Sequence, residues 1–233
     1  MIRSLQPSSA LLLLAAVASA SAAAGYLLAT RRRRLGYDPL VRRDAPASPV
    51  ELLRRWLASE PAPGPPYMVV ATSSPAEGAT ARTVVLQELG DGGALTFGTA
   101  TESLKARSLA ADPRCEAVLR SGHRQVRVRG VARRATADER ARSWRAQPPG
   151  ARSSLPHLDQ GAPVGEKAWA ALAESLRAAP LDASPPACYE AFVLEPRTIE
   201  FYSGGHDRFL NDRYLYVKKE KDGAWDSPRR LQP

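Results

Sequence analysis

The chain has 233 residues, room for one ordinary hydrophobic core with an appendage, and a formal net charge of +9. Five of its 33 basic residues are the arginines at 3 and 31–34, and no acidic residue precedes Asp38, so the rest balances 28 basic against 24 acidic side chains. The charge is therefore an N-terminal feature, and without aromatic interleaving or a known binding motif it argues against nucleic acid as a partner. Cys115 and Cys188 are too few and too far apart for a disulfide framework or a metal site; two free thiols suit a reducing compartment.

Residues 1–34 form a first segment. Its stretch 10–30 carries no charge, close to the ~20 residues that a helix needs to cross a bilayer. The arginines at 31–34 follow at once, and such a cluster tends to stay on the cytosolic side. The expectation is a single N-terminal hydrophobic helix anchoring a cytosolic domain to the mitochondrial outer membrane or the endoplasmic reticulum. Two alternatives stay open: a mitochondrial presequence removed on import, and a secretory signal cleaved after Ala18-Ser19-Ala20, although the apolar run continues through Tyr26, Leu27 and Leu28.

Residues 35–47 read as a polar arm and 48–233 as the globular domain. Ser48-Pro49-Val50-Glu51 has the form of a capping box with proline at the first helical position, and predicts a helix to about residue 59. After the prolines of 61–66 the pattern turns to short alternating runs, which predict strands at 67–72, 81–89 and 94–99. A short helix at 102–111 stops at Asp112-Pro113, and a hairpin of 115–120 with 125–133 turns at Ser121-Gly122-His123. Thr136 to Glu139 is a second capping box and opens a helix through 145. The segment 147–161 reads as loose chain, 164–178 as a helix, and 189–194, 198–203, 213–217 and 225–231 as strands. Many short strands with few interposed helices predict a mainly β fold, a closed or nearly closed antiparallel barrel with flanking helices. There is no internal repeat and no Gly-x-Gly-x-x-Gly loop.

The chemistry concentrates between Arg82 and Gly130. Strand, helix and strand place Arg82, Lys105 and Gln125 in one fold unit, and two cations with an amide suit a phosphate and a heterocycle with carbonyl and ring-nitrogen edges. Three pieces carry this stretch: Arg82-Thr83-Val84-Val85-Leu86-Gln87, Gly98-Thr99-Ala100-Thr101-Glu102-Ser103-Leu104-Lys105, and Arg124-Gln125-Val126-Arg127-Val128-Arg129-Gly130, with Asp112-Pro113-Arg114 between the last two. Their order resembles the pyridoxamine/pyridoxine 5'-phosphate oxidase family, whose pattern runs Arg-x-Val-Leu-Leu-Lys, Tyr-Thr-Asn-x-x-Ser-Arg-Lys, Asn-Pro-Arg and Arg-Gln-Val-Arg-x-x-Gly. Near the C-terminus, Glu200-Phe201-Tyr202-Ser203-Gly204 and Asn211-Asp212-Arg213 resemble that family's Glu-Phe-Trp-Gln-Gly and Leu-His-Asp-Arg.

The resemblance implies a split β-barrel that binds FMN in clefts between the two subunits of a homodimer. It implies that Arg82 and Lys105 hold the FMN phosphate with Thr99 and Ser103, and that residues 82–87 and Gly98 line the cofactor. Gln125 would meet the flavin's polar edge, while Gln160, Gly161, Tyr202 and Arg213 complete the site, with Gln160, Tyr202 and Arg213 coming from the partner subunit. The implied reaction oxidises the C4' carbon of a vitamer 5'-phosphate with O2, giving pyridoxal 5'-phosphate and hydrogen peroxide. On the substrate side the family uses a lysine, a tyrosine, an arginine and a serine to clamp the phosphate; here Gln87, Ser143, Gln147 and Ala151 stand at those positions. Arg208 is the main surviving substrate-side residue and is expected to be catalytic, with Asn211 where the family has histidine. Three readings follow: an oxidase making pyridoxal 5'-phosphate, a flavoenzyme of the same fold with another substrate, and a membrane-tethered binding protein without turnover.

Overall fold

The computed structural model describes residues 46–59, 64–178, 184–204 and 211–232. The hydrophobic stretch 10–30, most of the arm and Arg208 lie outside the described residues. Among the described residues no helix is long and apolar enough to cross a membrane.

Helix α1 (Pro49–Ser59) opens the domain and buries Leu52, Leu53 and Trp56 on one stripe. Strands β1 (Tyr67–Ser74), β2 (Gly78–Val85), β3 (Glu88–Leu89) and β4 (Leu95–Ala100) follow. Helix α2 (Leu104–Ala111) starts at Ser103, whose hydroxyl accepts from the Ala106 amide. Then come β5 (Arg114–Ser121) and β6 (Arg124–Arg134), and α3 (Ala137–Ala146), which opens on the expected capping box between Thr136 and Glu139. The loose segment expected at 147–161 is in part helical: α4 (Pro149–Ser154) runs into a 3-10 turn at Leu155–His157. Proline occupies the first turn of each, where its fixed φ and missing N–H cost nothing, so the prolines of this segment start helices. Helix α5 (Glu166–Ala178), β7 (Tyr189–Ser203), β8 (Asp212–Val217) and β9 (Arg229–Arg230) complete the chain. The expected last strand is reduced to β9 and an isolated bridge between Lys218 and Trp225.

All strands belong to one antiparallel sheet in the order β2-β1-β5-β6-β7-β4-β3, with β8 also on β7 and β9 on β8. Strand β7 gives the sheet its shape. Along one edge it pairs with β6, while its other edge is shared between β4, from residue 189 to 194, and β8, from 198 to 203. The ring closes through the chain itself: the Leu86 amide donates to the Pro66 carbonyl at 2.8 Å, and the next amide, Gln87, donates to Thr96 of β4 at 2.9 Å. A curled, half-barrel sheet results, with helices at its flanks.

Two strands were expected where β7 is continuous, because Pro196 removes a ladder donor. The register shifts there: Arg129 faces Thr198 and Gly130 faces Pro196, so Arg197 of β7 is the extra residue of a β-bulge beside the proline. Inside the curl, Trp56 meets Phe201 edge to face at 5.1 Å and Phe201 meets Tyr216 at 5.8 Å, with Val70, Leu95, Phe97 and Leu194 buried around them. Each large apolar side chain so buried contributes about 1.5–3 kcal/mol. Cys115 and Cys188 are free thiols, and burial pushes Cys115 up to about 12, far from thiolate chemistry.

Candidate functional site

Arg82 faces inward from β2, directly opposite Val70 of β1. Its guanidinium donates to Thr72 Oγ1 at 2.8 Å, to the Val70 carbonyl at 3.2 Å and to Thr80 Oγ1 at 2.7 Å. Lys105, in the first turn of α2, donates to Thr99 Oγ1 at 2.9 Å, and Thr99 shares a 2.8 Å hydrogen bond with Ser103. Among the described residues no carboxylate lies within ion-pair reach of either cation. Burial holds Lys105 down at about 8, and the nearby positive charge of Arg82 pushes the same way; burial lowers Arg82 as well. Two half-buried cations that raise each other's energy, beside hydroxyls and the positive end of a helix, make a site that gains when an anion enters. Gln160 lies in the same chain as this cluster, sharing a cleft of about 360 Å³ with Ser103, Thr101 and His157.

A second cluster lies under α3. Gln87, Ser143 and Gln147 come together around Tyr189. The Ser143 hydroxyl bonds to Gln87 Oε1 and, at 2.5 Å, to Tyr189 Oη; Gln87 Nε2 donates to the same oxygen at 3.4 Å, and Gln147 bonds to it too. Burial raises the Tyr189 phenol above its ordinary value, and these bonds only partly offset that, so it is neutral and able to donate. Trp144 packs edge to face on Tyr189 at 4.8 Å. Ala151 lies on α4 outside this hydrogen-bonded set. Tyr189 was not among the residues expected from the sequence. The available signal was Gly98, which stands where the similar family has tyrosine: an aromatic ring lost from β4 reappears on the neighbouring strand, paired two residues away at Ala100.

A third group is a row across the sheet. Gln125 of β6 lies opposite Tyr202 of β7, and Tyr202 opposite Arg213 of β8. Arg213 forms a two-point ion pair with Glu200, both bonds at 3.1 Å. Asn211 sits next to Gly204 at the end of this row. The row faces outward, whereas Arg82 faces the interior, so within one chain Gln125 and the two cations lie on opposite faces of the sheet; the period-two alternation of strands decides this. On that outer face Tyr67 and Val69 of β1 are 58% and 39% exposed, and Thr83 and Val85 lie across from them on β2. Val84 turns inward and Leu86 is buried at the closure of the ring. Among the described residues no cluster of histidine, cysteine or acidic side chains could hold a metal ion.

Residues 57–180 match the family model described as pyridoxamine 5'-phosphate oxidase. The chain belongs to that family. Its similar relatives include the pyridoxine/pyridoxamine 5'-phosphate oxidase of Bacteroides fragilis, 31% identical over 194 residues that cover 80% of this chain and 81% of the relative. The oxidase of Streptomyces avermitilis is 33% identical over 214 residues, covering 80% and 88%. Among solved structures, PhzG of Burkholderia lata in complex with tetrahydrophenazine-1-carboxylic acid superposes with a TM-score of 0.72 at 25% identity, over 85% of this chain and all of that one. A pyridoxamine 5'-phosphate oxidase-related, FMN-binding protein of Nostoc punctiforme, 22% identical with a TM-score of 0.60, covers 72% of this chain and 88% of its own and shares the fold. Membership in the pyridoxamine 5'-phosphate oxidase family places this chain among oxidoreductase flavoenzymes.

Proposed function

We propose that this protein is an FMN-dependent oxidoreductase acting on a small ring compound, with O2 as the final electron acceptor. The observation that carries the reading is the pairing of Arg82 and Lys105 without a carboxylate between them. A phosphate fits there: Arg82 offers a planar fork, Lys105 a point charge, and Thr99 and Ser103 short hydroxyls. FMN, when bound, supplies the two-electron chemistry and returns to its oxidised form with O2, releasing hydrogen peroxide. The chain's own part is to fix the phosphate at Arg82 and Lys105, to present Gln125, Tyr202 and Arg213 as a polar and aromatic edge, and to keep water from the buried hydroxyls around Tyr189. Because the cations and the row of Gln125, Tyr202 and Arg213 occupy opposite faces of one sheet, a second copy is needed to bring both kinds of group to one ligand. We propose a homodimer on that ground, with Tyr67 and Val69 of the outer face among its contacts. The segment 10–30, if retained as a helix, would tether that dimer to a membrane and leave the barrel in the cytosol.

The named activity of the curated relatives supports a vitamer 5'-phosphate as substrate, giving pyridoxal 5'-phosphate. The uncharged cluster around Tyr189 supports a different substrate. The test is the visible spectrum of the full-length FMN-loaded protein, recorded without oxygen before and after addition of pyridoxamine 5'-phosphate. Bleaching of the flavin band that reverses in air would establish the vitamer reading. A bound flavin that stays oxidised would shift the reading to another substrate, and failure to bind flavin would sink the enzyme reading in favour of a binding protein.

Cofactor binding should depend on pH in a defined direction. Below about 8 Lys105 is already charged in the unliganded protein. Above it the ammonium is lost, and a phosphate dianion must restore it by taking up a proton, so affinity for FMN should fall by up to about tenfold per pH unit. Dissociation constants from flavin fluorescence between pH 7 and 10 would check this; Lys105→Arg should flatten the profile, and an identical slope in that variant would refute the assignment of the titration to Lys105.

A further inference from the structure

Adjacent residues of β4 look into two polar clusters of opposite electrostatic character. On the Thr99 side stand Lys105 and Arg82, cations with no acidic partner among the described residues. On the Gly98 side stand Gln87, Ser143, Gln147 and Tyr189, all neutral. Strand alternation puts the two clusters on opposite faces of β4.

The neutral cluster is closed upon itself. Ser143 and Tyr189 are each 1% exposed and Gln147 9%. Their hydroxyls and amides bond to one another and to Gln87, which is half-buried and the member open to an incoming ligand. Among the described residues, no lysine or arginine side chain is hydrogen-bonded to any of these four side chains. Two guanidiniums of α3 are committed to other acceptors: Arg140, which also lies over the Tyr189 ring at 5.9 Å, donates to the carbonyls of Tyr189, at 2.9 Å, and Pro186, at 2.5 Å, and Arg142 reaches Glu88 at 3.4 Å. Gly98 is part of the same unit. A Cβ there would sit 2.6 Å from Gln147 Nε2 and 2.7 Å from Tyr189 Cε2, so the missing side chain is what admits the tyrosine ring. A phosphate dianion brought against this cluster would shed its hydration for neutral donors already bonded to each other, which is unfavourable for any buried charge.

Building on the flavoenzyme reading, we infer that the substrate of this protein carries no phosphate group: it is a ring compound met through uncharged hydrogen-bonding edges at Gln87, which Ser143, Gln147 and Tyr189 hold in place, and the phosphate site among the described residues is the cofactor's at Arg82 and Lys105. Glutamine offers both a donor and an acceptor, so carbonyl, ring-nitrogen and amine edges all suit Gln87.

The experiment is a calorimetric titration of the full-length protein, saturated with FMN and kept anaerobic, with pyridoxine and separately with pyridoxine 5'-phosphate. The phosphorylated compound should bind less than about tenfold more tightly than the plain one, or not measurably, a difference under about 1.4 kcal/mol. A preference of tenfold or more overturns the inference while leaving the flavin reading intact. A chain that takes up no FMN overturns both. The double substitution Gln87→Lys with Gln147→Arg, scored only in protein that still binds FMN, should raise the ratio by more than about tenfold, because hydrogen bonds from charged donors to phosphate are stronger than those from neutral amides. An unchanged ratio in that variant would mean that the pocket is not where the substrate's substituent lies, and would equally overturn the assignment.

Discussion

Replacing Arg82 or Lys105 by alanine is expected to weaken FMN binding by about 10- to 100-fold each, as charge-assisted hydrogen bonds to phosphate contribute about 1.5–3 kcal/mol. Titrating FMN fluorescence quenching would measure it, and unchanged affinity in both variants would sink the cofactor assignment. The same substitutions separate binding from folding. Lys105 is held at about 8 because burial and the charge of Arg82 both oppose its ammonium. A lysine whose folded value lies below its unfolded one weakens the fold while charged, so the penalty is full below about 8 and fades as pH rises toward the ordinary lysine value near 10.4. Lys105→Met should therefore leave the melting temperature of the cofactor-free protein at pH 7 unchanged or raise it, while flavin affinity falls. A site residue whose removal hurts binding and helps the empty fold is spending stability on its ligand. A structural lysine would lose both together, and that outcome would also count against the phosphate site.

The barrel was legible because its signal is local. Period-two alternation in β1, β5 and β6, the capping box at Thr136 and the stop at Asp112-Pro113 each need only a few neighbouring residues, and the structure places elements there within a residue or two. What the chain hid was long-range. Continuity of β7 through Pro196 depends on Gly130 of β6, more than sixty residues earlier, lying opposite a bulge at Pro196-Arg197, and no window around Pro196 contains that partner. The segment 147–161 read as loose chain because the effect of its prolines depends on whether helix follows or precedes them. At the site, Arg82, Thr99, Ser103 and Lys105 were named from motif order, and the structure gathers them into one cluster. Tyr189 escaped notice because it lies in no motif; its meaning comes only from Gly98 and α3 folding over it. Strand parity also reassigns Gln125: sequence proximity to Arg82 suggested a shared groove, and the pleat turns the two apart.

Gly130 closes the Arg-Gln-Val-Arg-Val-Arg-Gly motif, and its role is mechanical. A Cβ at that position would stand 2.8 Å from the Glu195 carbonyl carbon, 3.0 Å from Pro196 Cα, and closer still to the Glu195 oxygen. These are backbone atoms of β7 at the bulge, so no rotamer change relieves the overlap; β6 and β7 must move apart along the longest pairing in the sheet. Gly130→Ala is accordingly expected to cost about 3 kcal/mol or more, a large part of the 5–15 kcal/mol that holds a domain together. The melting temperature by circular dichroism should fall by about 6–12 °C, since each kcal/mol moves a domain of this size by about 2–4 °C. Gly92→Ala is the control: its nearest neighbour would be the mobile end of Lys218, at 3.6 Å, and its φ is ordinary. Equal melting temperatures for the two variants would show that Gly130 does not face Pro196, and the register of β6 on β7 would have to shift. That register places Gln125 opposite Tyr202, which pairs in turn with Arg213, so a shift by one residue would turn Gln125 to the other face and dissolve the row assigned to the flavin edge. The melting curve of a buried glycine variant thus bears on the cofactor site as directly as a flavin titration does.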